Sequence, residues 1–158
     1  MSKYDHITDE YIKEALEDYK DKIDAKKPDE LSLSTYRVDK PWGYEVWLEM
    51  NEFFALKLIH FKQGNRCSLQ LHNRKIESVY VISGEAEVFL EDDDGVLQSK
   101  IYGPGSGWSV PLNKKHRVYA KTDFTIIEAQ SPHLNDIIRF QDDTNRQSGT
   151  LKSEHEGN

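Results

Sequence analysis

Between about residues 40 and 140 the chain is a succession of short β-rich runs: "YEVWLE", "FFALKLIHF", "SVYVIS", "AEVFLE", "LQSKIY", "GWSVP", "HRVYA" and "FTIIEAQ". They are punctuated by glycine, proline and acidic turns such as "SGE" and "EDDDG". Antiparallel hairpins need only such short connections, so the pattern predicts an all-β sandwich or barrel. Ahead of it, Ile12, Leu16, Tyr19 and Ile23 recur at helical spacing in "TDEYIKEALEDYKDKI". One amphipathic helix is predicted, with Thr8 as N-cap, Asp9 and Glu10 at the positive helix end, and Pro28 as its latest exit. Its apolar stripe must bury against the barrel or a partner subunit. The expected organisation is a helical extension over 1–35, a barrel over 36–146 and a disordered tail over 147–158, where Leu151 is the only large apolar residue.

A chain of 158 residues, 37% hydrophobic and 31% charged, is the size of one domain with a real core. The net charge of −7 argues against a nucleic-acid partner bound by charge neutralisation. Ten acids against six lysines in residues 1–30 account for −4 of that charge. The nearly balanced remainder could still hold a cationic pocket for a small anion. No apolar run approaches the roughly 18 residues that span a bilayer, and "MSKYDHITDE" lacks a signal peptide's apolar stretch, so no membrane partner and a cytoplasmic location are expected. The single cysteine, Cys67, excludes an internal disulfide and a cysteine-based zinc cluster.

The stretch "GNRCSLQLHNRKIESVYVISG" carries the most chemistry. Gln70 and His72 are two apart, so on a strand both leave one face, while Cys67, Leu69 and Leu71 take the other. Unless a bulge intervenes, that parity removes Cys67 from any ligand set. Glu77 opens the next strand, from which a carboxylate can converge on the same cavity. The run "GPGSGWSVPLNKKHRVYA" adds Gly105, Pro111 and His116. By alternation Lys57 shares a face with Ala55, Ile59 and Phe61, which makes it an unusual buried cation or a pocket lysine lowered in pKa. His6, His60 and His133 lack supporting neighbours, and His155 lies in the expected tail.

The spacing resembles the two cupin motifs, with Gly64, Gln70, His72, Glu77 and Gly84 in the first, and Gly105, Pro111 and His116 in the second. Glutamine replaces the first histidine. More specifically, "KPWGYEVW", "FALKLIHFKQG", "SLQLHNRKIESVYVISGEAEV", "VPLNKKHRV", "IIEAQ" and "DIIRFQDDTNR" resemble the C-terminal cupin domain of type II mannose-6-phosphate isomerases. The resemblance implies a cupin jelly-roll barrel holding one divalent metal on Gln70, His72, Glu77 and His116, since that family characteristically uses Q-x-H here. One amide, two imidazoles and one carboxylate leave a divalent ion electrophilic enough to polarise a carbonyl. Zinc is the first choice because it has no redox chemistry; manganese, iron, nickel or cobalt would also fit. In bifunctional members the domain follows a guanylyltransferase domain, which is not expected in these residues.

The implied chemistry is aldose–ketose isomerisation of a phosphorylated hexose, mannose 6-phosphate and fructose 6-phosphate being the expected pair. It requires an electrophile, a base and a phosphate anchor. The base is open among Lys57, Lys75 and Glu128, where Lys57 and Glu128 also match family positions. Arg74 joins these as a catalytic candidate, because the family's arginine position holds Lys75 and an arginine stands one residue earlier. Arginine grips an oxyanion bidentately and lysine does not, so this departure bears on catalysis more than on metal binding. For the phosphate, Lys115 lies beside a ligand, and Arg139 and Arg146 match arginines of the family's closing motif. Asn113 and Ala120 replace the second motif's glycine and final asparagine. Competing readings are a non-catalytic sugar- or metal-binding cupin and an Fe(II) cupin oxygenase or lyase. Family habit makes a homodimer plausible.

Overall fold

Alternation along the strands builds two facing sheets. In Ala55–Phe61, residues 55, 57, 59 and 61 are buried and those between are half-buried, so one side of the strand faces inward throughout. The computed structural model describes residues 1–24 and 36–142, together with the backbone of 149–150. In chain order the elements are α1 (Glu10–Asp18), α2 (Lys20–Asp24), β1 (Tyr36–Lys40), β2 (Gly43–Met50), β3 (Ala55–Phe61), β4 (Leu69–Leu71), β5 (Glu77–Ser83), β6 (Ala86–Glu91), β7 (Leu97–Tyr102), β8 (Gly107–Val110), β9 (His116–Ala120), β10 (Phe124–Gln130), β11 (Ile138–Gln141) and β12 (Gly149–Thr150). One sheet runs β1-β2-β3-β10-β5-β8 and the other β12-β11-β4-β9-β6-β7, with every paired strand antiparallel.

The core lies between the sheets and includes Trp42, Phe61, Val81, Val118, Phe124 and Ile126. Trp42 stacks on Phe61 with ring centroids 4.3 Å apart. Tight turns keep the strands in register. At the β5–β6 turn Gly84 has φ +83, and a Cβ there would lie 2.0 Å from the Asp123 carbonyl oxygen. Only glycine meets both conditions.

The expected helix is present, with two corrections. Its N-cap is Asp9 rather than Thr8: the Asp9 carboxylate accepts from the Tyr11 and Ile12 amides. The helix also breaks at Tyr19, whose backbone leaves helical geometry at φ −107, ψ 7. Tyr19 packs edge-on to Trp47 at 5.2 Å and donates its hydroxyl to Asn135 at 2.9 Å, so tertiary contacts hold the residue at the break. The stripe is buried as the spacing requires: Leu16 is fully buried, and Ala15 and Tyr19 pack with Val38, Trp47, Met50, Ala55 and Leu134. Pro28 lies outside the described residues. At the other end, Gly149 and Thr150 pair with Arg139 and Ile138, so a short strand stands where a disordered tail is expected from residue 147. Among the described residues no helix is long and apolar enough to cross a membrane.

Candidate metal centre

His72, Glu77 and His116 come from three different segments and meet inside the barrel. His72 follows β4, Glu77 opens β5 and His116 opens β9. One potential ligand atom from each lies within 4.8 Å of the others, and all three residues are buried. His72 Nε2 is 2.9 Å from Glu77 Oε1, and His116 Nε2 is 3.9 Å from Glu77 Oε2.

Backbone carbonyls fix both rings. His72 Nδ1 donates to the Asp136 carbonyl at 2.6 Å, and His116 Nδ1 donates to the Lys114 carbonyl at 3.0 Å. A carbonyl can only accept, so each neutral ring keeps its proton on Nδ1 and turns the Nε2 lone pair inward. Both Nε2 atoms are buried without an aligned hydrogen bond among the described residues. Two orphaned lone pairs beside a carboxylate are what a divalent cation would satisfy, so the residues present fit a metal ion. Ionisation agrees. Burial pushes the His116 imidazole down to about 4 despite the Glu77 carboxylate, leaving it neutral and able to ligate. Burial works to raise Glu77, but the neighbouring His72 in its cationic form and Lys75 outweigh it and hold the carboxyl well below its ordinary value.

Gln70 stands directly across from His116 in the β4–β9 pair and lines the same cavity. Its amide oxygen accepts from the Ser68 hydroxyl at 3.0 Å. Cys67 faces inward too, contrary to simple alternation. Arg66 bridges Tyr119 while Gln70 pairs with His116, which puts four steps on one strand against three on the other. That extra residue is a bulge, and it turns Cys67 into the cavity wall. The thiol is packed, with the Val118 amide 3.3 Å from its sulfur, and it stands outside the His–Glu–His group.

Beside the ligands lies a row of buried ions. Lys57, Lys75 and Glu128 all line the cavity, which encloses about 70 Å³. Lys57 is opposite Glu128 on β10 and sits 3.2 Å from Glu45, while Lys75 is 3.3 Å from Glu77. Burial lowers Lys57, with Glu45 opposing. Burial works the same way on Lys75, but Glu77, Glu128 and Glu45 outweigh it and raise the ammonium. Glu128 is pushed up to about 8 by burial and by Glu77, so it exchanges its proton near neutral pH. Gln130, opposite Glu77 in the β10–β5 pair, is buried with neither amide atom partnered among the described residues. Burying an ion costs several kcal/mol, so apolar residues would stabilise this interior at least as well, and a row of ions points to chemistry.

The other candidates are dispersed. Arg139 is buried on β11, next to Gln70 in register. Arg74 turns outward and lies over the Tyr11 ring, 3.5 Å from its centroid. Lys115 lies over Phe140 at 4.8 Å, away from the cavity lining. Arg146 falls outside the described residues. The three histidines without supporting neighbours each find a partner elsewhere: His6 with Glu52, His60 with Thr125 and His133 with Asp9. Asn113 has φ 60, the left-handed region that explains a glycine in the family motif and that asparagine tolerates best among the other residues. Its amide donates to the His72 carbonyl at 2.8 Å, tying the two motifs together.

Sequence reasoning missed Glu45 and Asp136. On β2 the inward face holds Gly43, Glu45 and Trp47, while the more uniformly apolar Tyr44, Val46 and Leu48 are half-buried on the other. Hydropathy therefore favours the wrong face. Asp136 sits in "SPHLNDII", which offers no local signal because its partners are more than 60 residues away.

A two-sheet antiparallel barrel whose interior gathers histidine, glutamate and histidine from its two motifs is a cupin. The match to known proteins is narrower. Residues 27–142 fit the family described as mannose-6-phosphate isomerase C-terminal, and the chain belongs to that family. The xanthan biosynthesis protein XanB of Xanthomonas campestris is 33% identical over 111 residues, covering 67% of this chain and 23% of XanB. The mannose-1-phosphate guanylyltransferase ManC of Salmonella typhimurium is 26% identical over 136 residues, 83% of this chain and 26% of ManC. The chain thus spans about a quarter of the length of these curated relatives. Among solved structures, oxalate decarboxylase from Bacillus subtilis superposes with a TM-score of 0.60 at 22% identity, over 67% of this chain and 30% of that one. KdgF from Halomonas sp. gives a TM-score of 0.54 at 22% identity, over 61% and 87%. Both likenesses concern the fold.

Proposed function

We propose that this cupin is a metal-dependent isomerase of phosphorylated hexoses, interconverting mannose 6-phosphate and fructose 6-phosphate through an enediolate. The observation that carries it is the placement of Glu128, Lys57 and Lys75 in the same buried cavity as Gln70, Glu77 and His116, with His72 completing the cluster. Gln70, His72, Glu77 and His116 would hold the ion, with zinc the proposed metal, and the ion would supply electrophilic polarisation of the substrate's carbonyl and hydroxyl oxygens. Glu128 is the proposed base. Its carboxylate form takes the C2 proton of the aldose and its acid form returns that proton to C1. Lys75, held as an ammonium, stabilises the negative charge that develops on the enediolate oxygens. Gln130, whose amide donor and acceptor have no partner among the described residues, is available to a sugar hydroxyl. Arg139 is the proposed phosphate contact. Relatives named for xanthan and alginate biosynthesis support a place in supplying sugars for polysaccharides.

A second reading, a sugar-binding cupin without catalysis, is favoured by one observation: Arg74 and Lys115 point away from the cavity. Incubation with hexose phosphates in D2O separates the two. Metal-loaded protein should exchange the C2 proton of mannose 6-phosphate, followed by NMR. Binding of the sugar phosphate without exchange would select the second reading.

A further inference from the structure

One short turn, residues 131–137, touches both the metal-ligand loop and the N-terminal helix. On the loop side Asp136 does most of the holding. Its carboxylate accepts three successive amides, from Asn73 at 3.2 Å, Arg74 at 2.5 Å and Lys75 at 2.8 Å. These bonds outweigh its partial burial and hold its carboxyl below the ordinary value. Its carbonyl also takes the His72 Nδ1 proton. One residue thereby fixes the orientation and tautomer of His72 and the path of the three residues that lead toward Glu77.

On the other side the turn is tied to α1 and the residues around it. Asn135 accepts from the Tyr19 hydroxyl at 2.9 Å and donates to Asp18 at 3.1 Å. His133 Nε2 lies 3.2 Å from the Asp9 oxygen that is not capping the helix. Leu134, fully buried, packs with Ala15 and Tyr19. Arg74 of the ligand loop itself lies over the Tyr11 ring. Both helices precede the residues matched by the family, which begin at 27.

We propose that Asp136 is the positioning residue of the metal centre and that the N-terminal helix braces it through Asn135 and His133. The helix then belongs to the site rather than only to the core. Groups that orient metal ligands typically change affinity by about 10- to 100-fold when altered. This inference rests on the metal-centre reading, and its test keeps the two apart.

Co2+ affinity of the full chain is measured by competition with a chromophoric chelator, together with the Co2+ ligand-field spectrum and thermal unfolding of the metal-free protein. Asp136→Asn, which cannot accept all three amides, should weaken Co2+ binding by about 10- to 100-fold and change the spectrum. A variant that unfolds at a lower temperature but keeps wild-type affinity and spectrum would show a purely structural role and overturn the proposal. The brace is read in Tyr19→Phe combined with Asn135→Ala, which leaves loop and ligands intact and should cost about three- to tenfold in affinity. Wild-type affinity in that double variant would remove the helix from the site. If Asp136→Asn does not fold, the double variant alone decides. Failure of the wild-type protein to bind Co2+ would instead sink the metal centre itself.

Discussion

Glu128 is a carboxyl raised to about 8 by burial and by Glu77, and both its chemistry and its energetics are testable. Replacing it with glutamine keeps the shape but removes the proton acceptor. Glu128→Gln should lower C2 exchange by about 10²- to 10⁴-fold while metal content stays unchanged, as read by NMR and elemental analysis. In the wild type, exchange should rise with pH as the carboxylate forms, with an inflection at about 8; the variant should lose that limb. The linkage to stability has a definite sign. The folded pKa is raised, so the stabilisation is full below the ordinary value near 4.5 and is lost as pH rises through about 8. Urea midpoints of Glu128→Gln should therefore gain on the wild type across that window. A constant difference would contradict the raised folded-state pKa.

At the scale of elements, the eight β-rich runs quoted from the sequence all became strands, because alternation and turn residues are local signals. β1 and β12 were less legible, each relying on a neighbouring strand for its definition, β2 and β11 respectively. The helix was legible from its stripe, and its break at Tyr19 was not, because Trp47 and Asn135 lie far along the chain. Truncating the stripe tests its burial: Leu16→Ala, at a fully buried position, should cost about 2–5 kcal/mol by urea denaturation. At the β5–β6 turn Gly84→Ala should destabilise strongly, since its Cβ would collide with the Asp123 carbonyl. Asn113→Gly should be well tolerated, because the φ of 60 is already glycine's own territory.

Across the whole molecule, residues distant in sequence complete the site. His72, Glu77 and His116, expected together from the family resemblance, meet in one cluster, and Gln70 lines the cavity beside them. Lys57 was legible by alternation. Lys115 was nominated by proximity to a ligand and Arg74 by its place beside the family's arginine position, yet the structure sets them over Phe140 and Tyr11, contacts that only the tertiary fold supplies. Glu45 and Asp136 needed the tertiary fold. The central claim is that His72, Glu77 and His116 form a metal centre, and elemental analysis of protein loaded with a slight excess of Zn2+ and then dialysed against metal-free buffer tests it most directly. One equivalent per chain is expected, falling to background in His72→Ala and His116→Ala variants that remain folded. Equal metal content in wild type and folded variants, or none in the wild type, would contradict it.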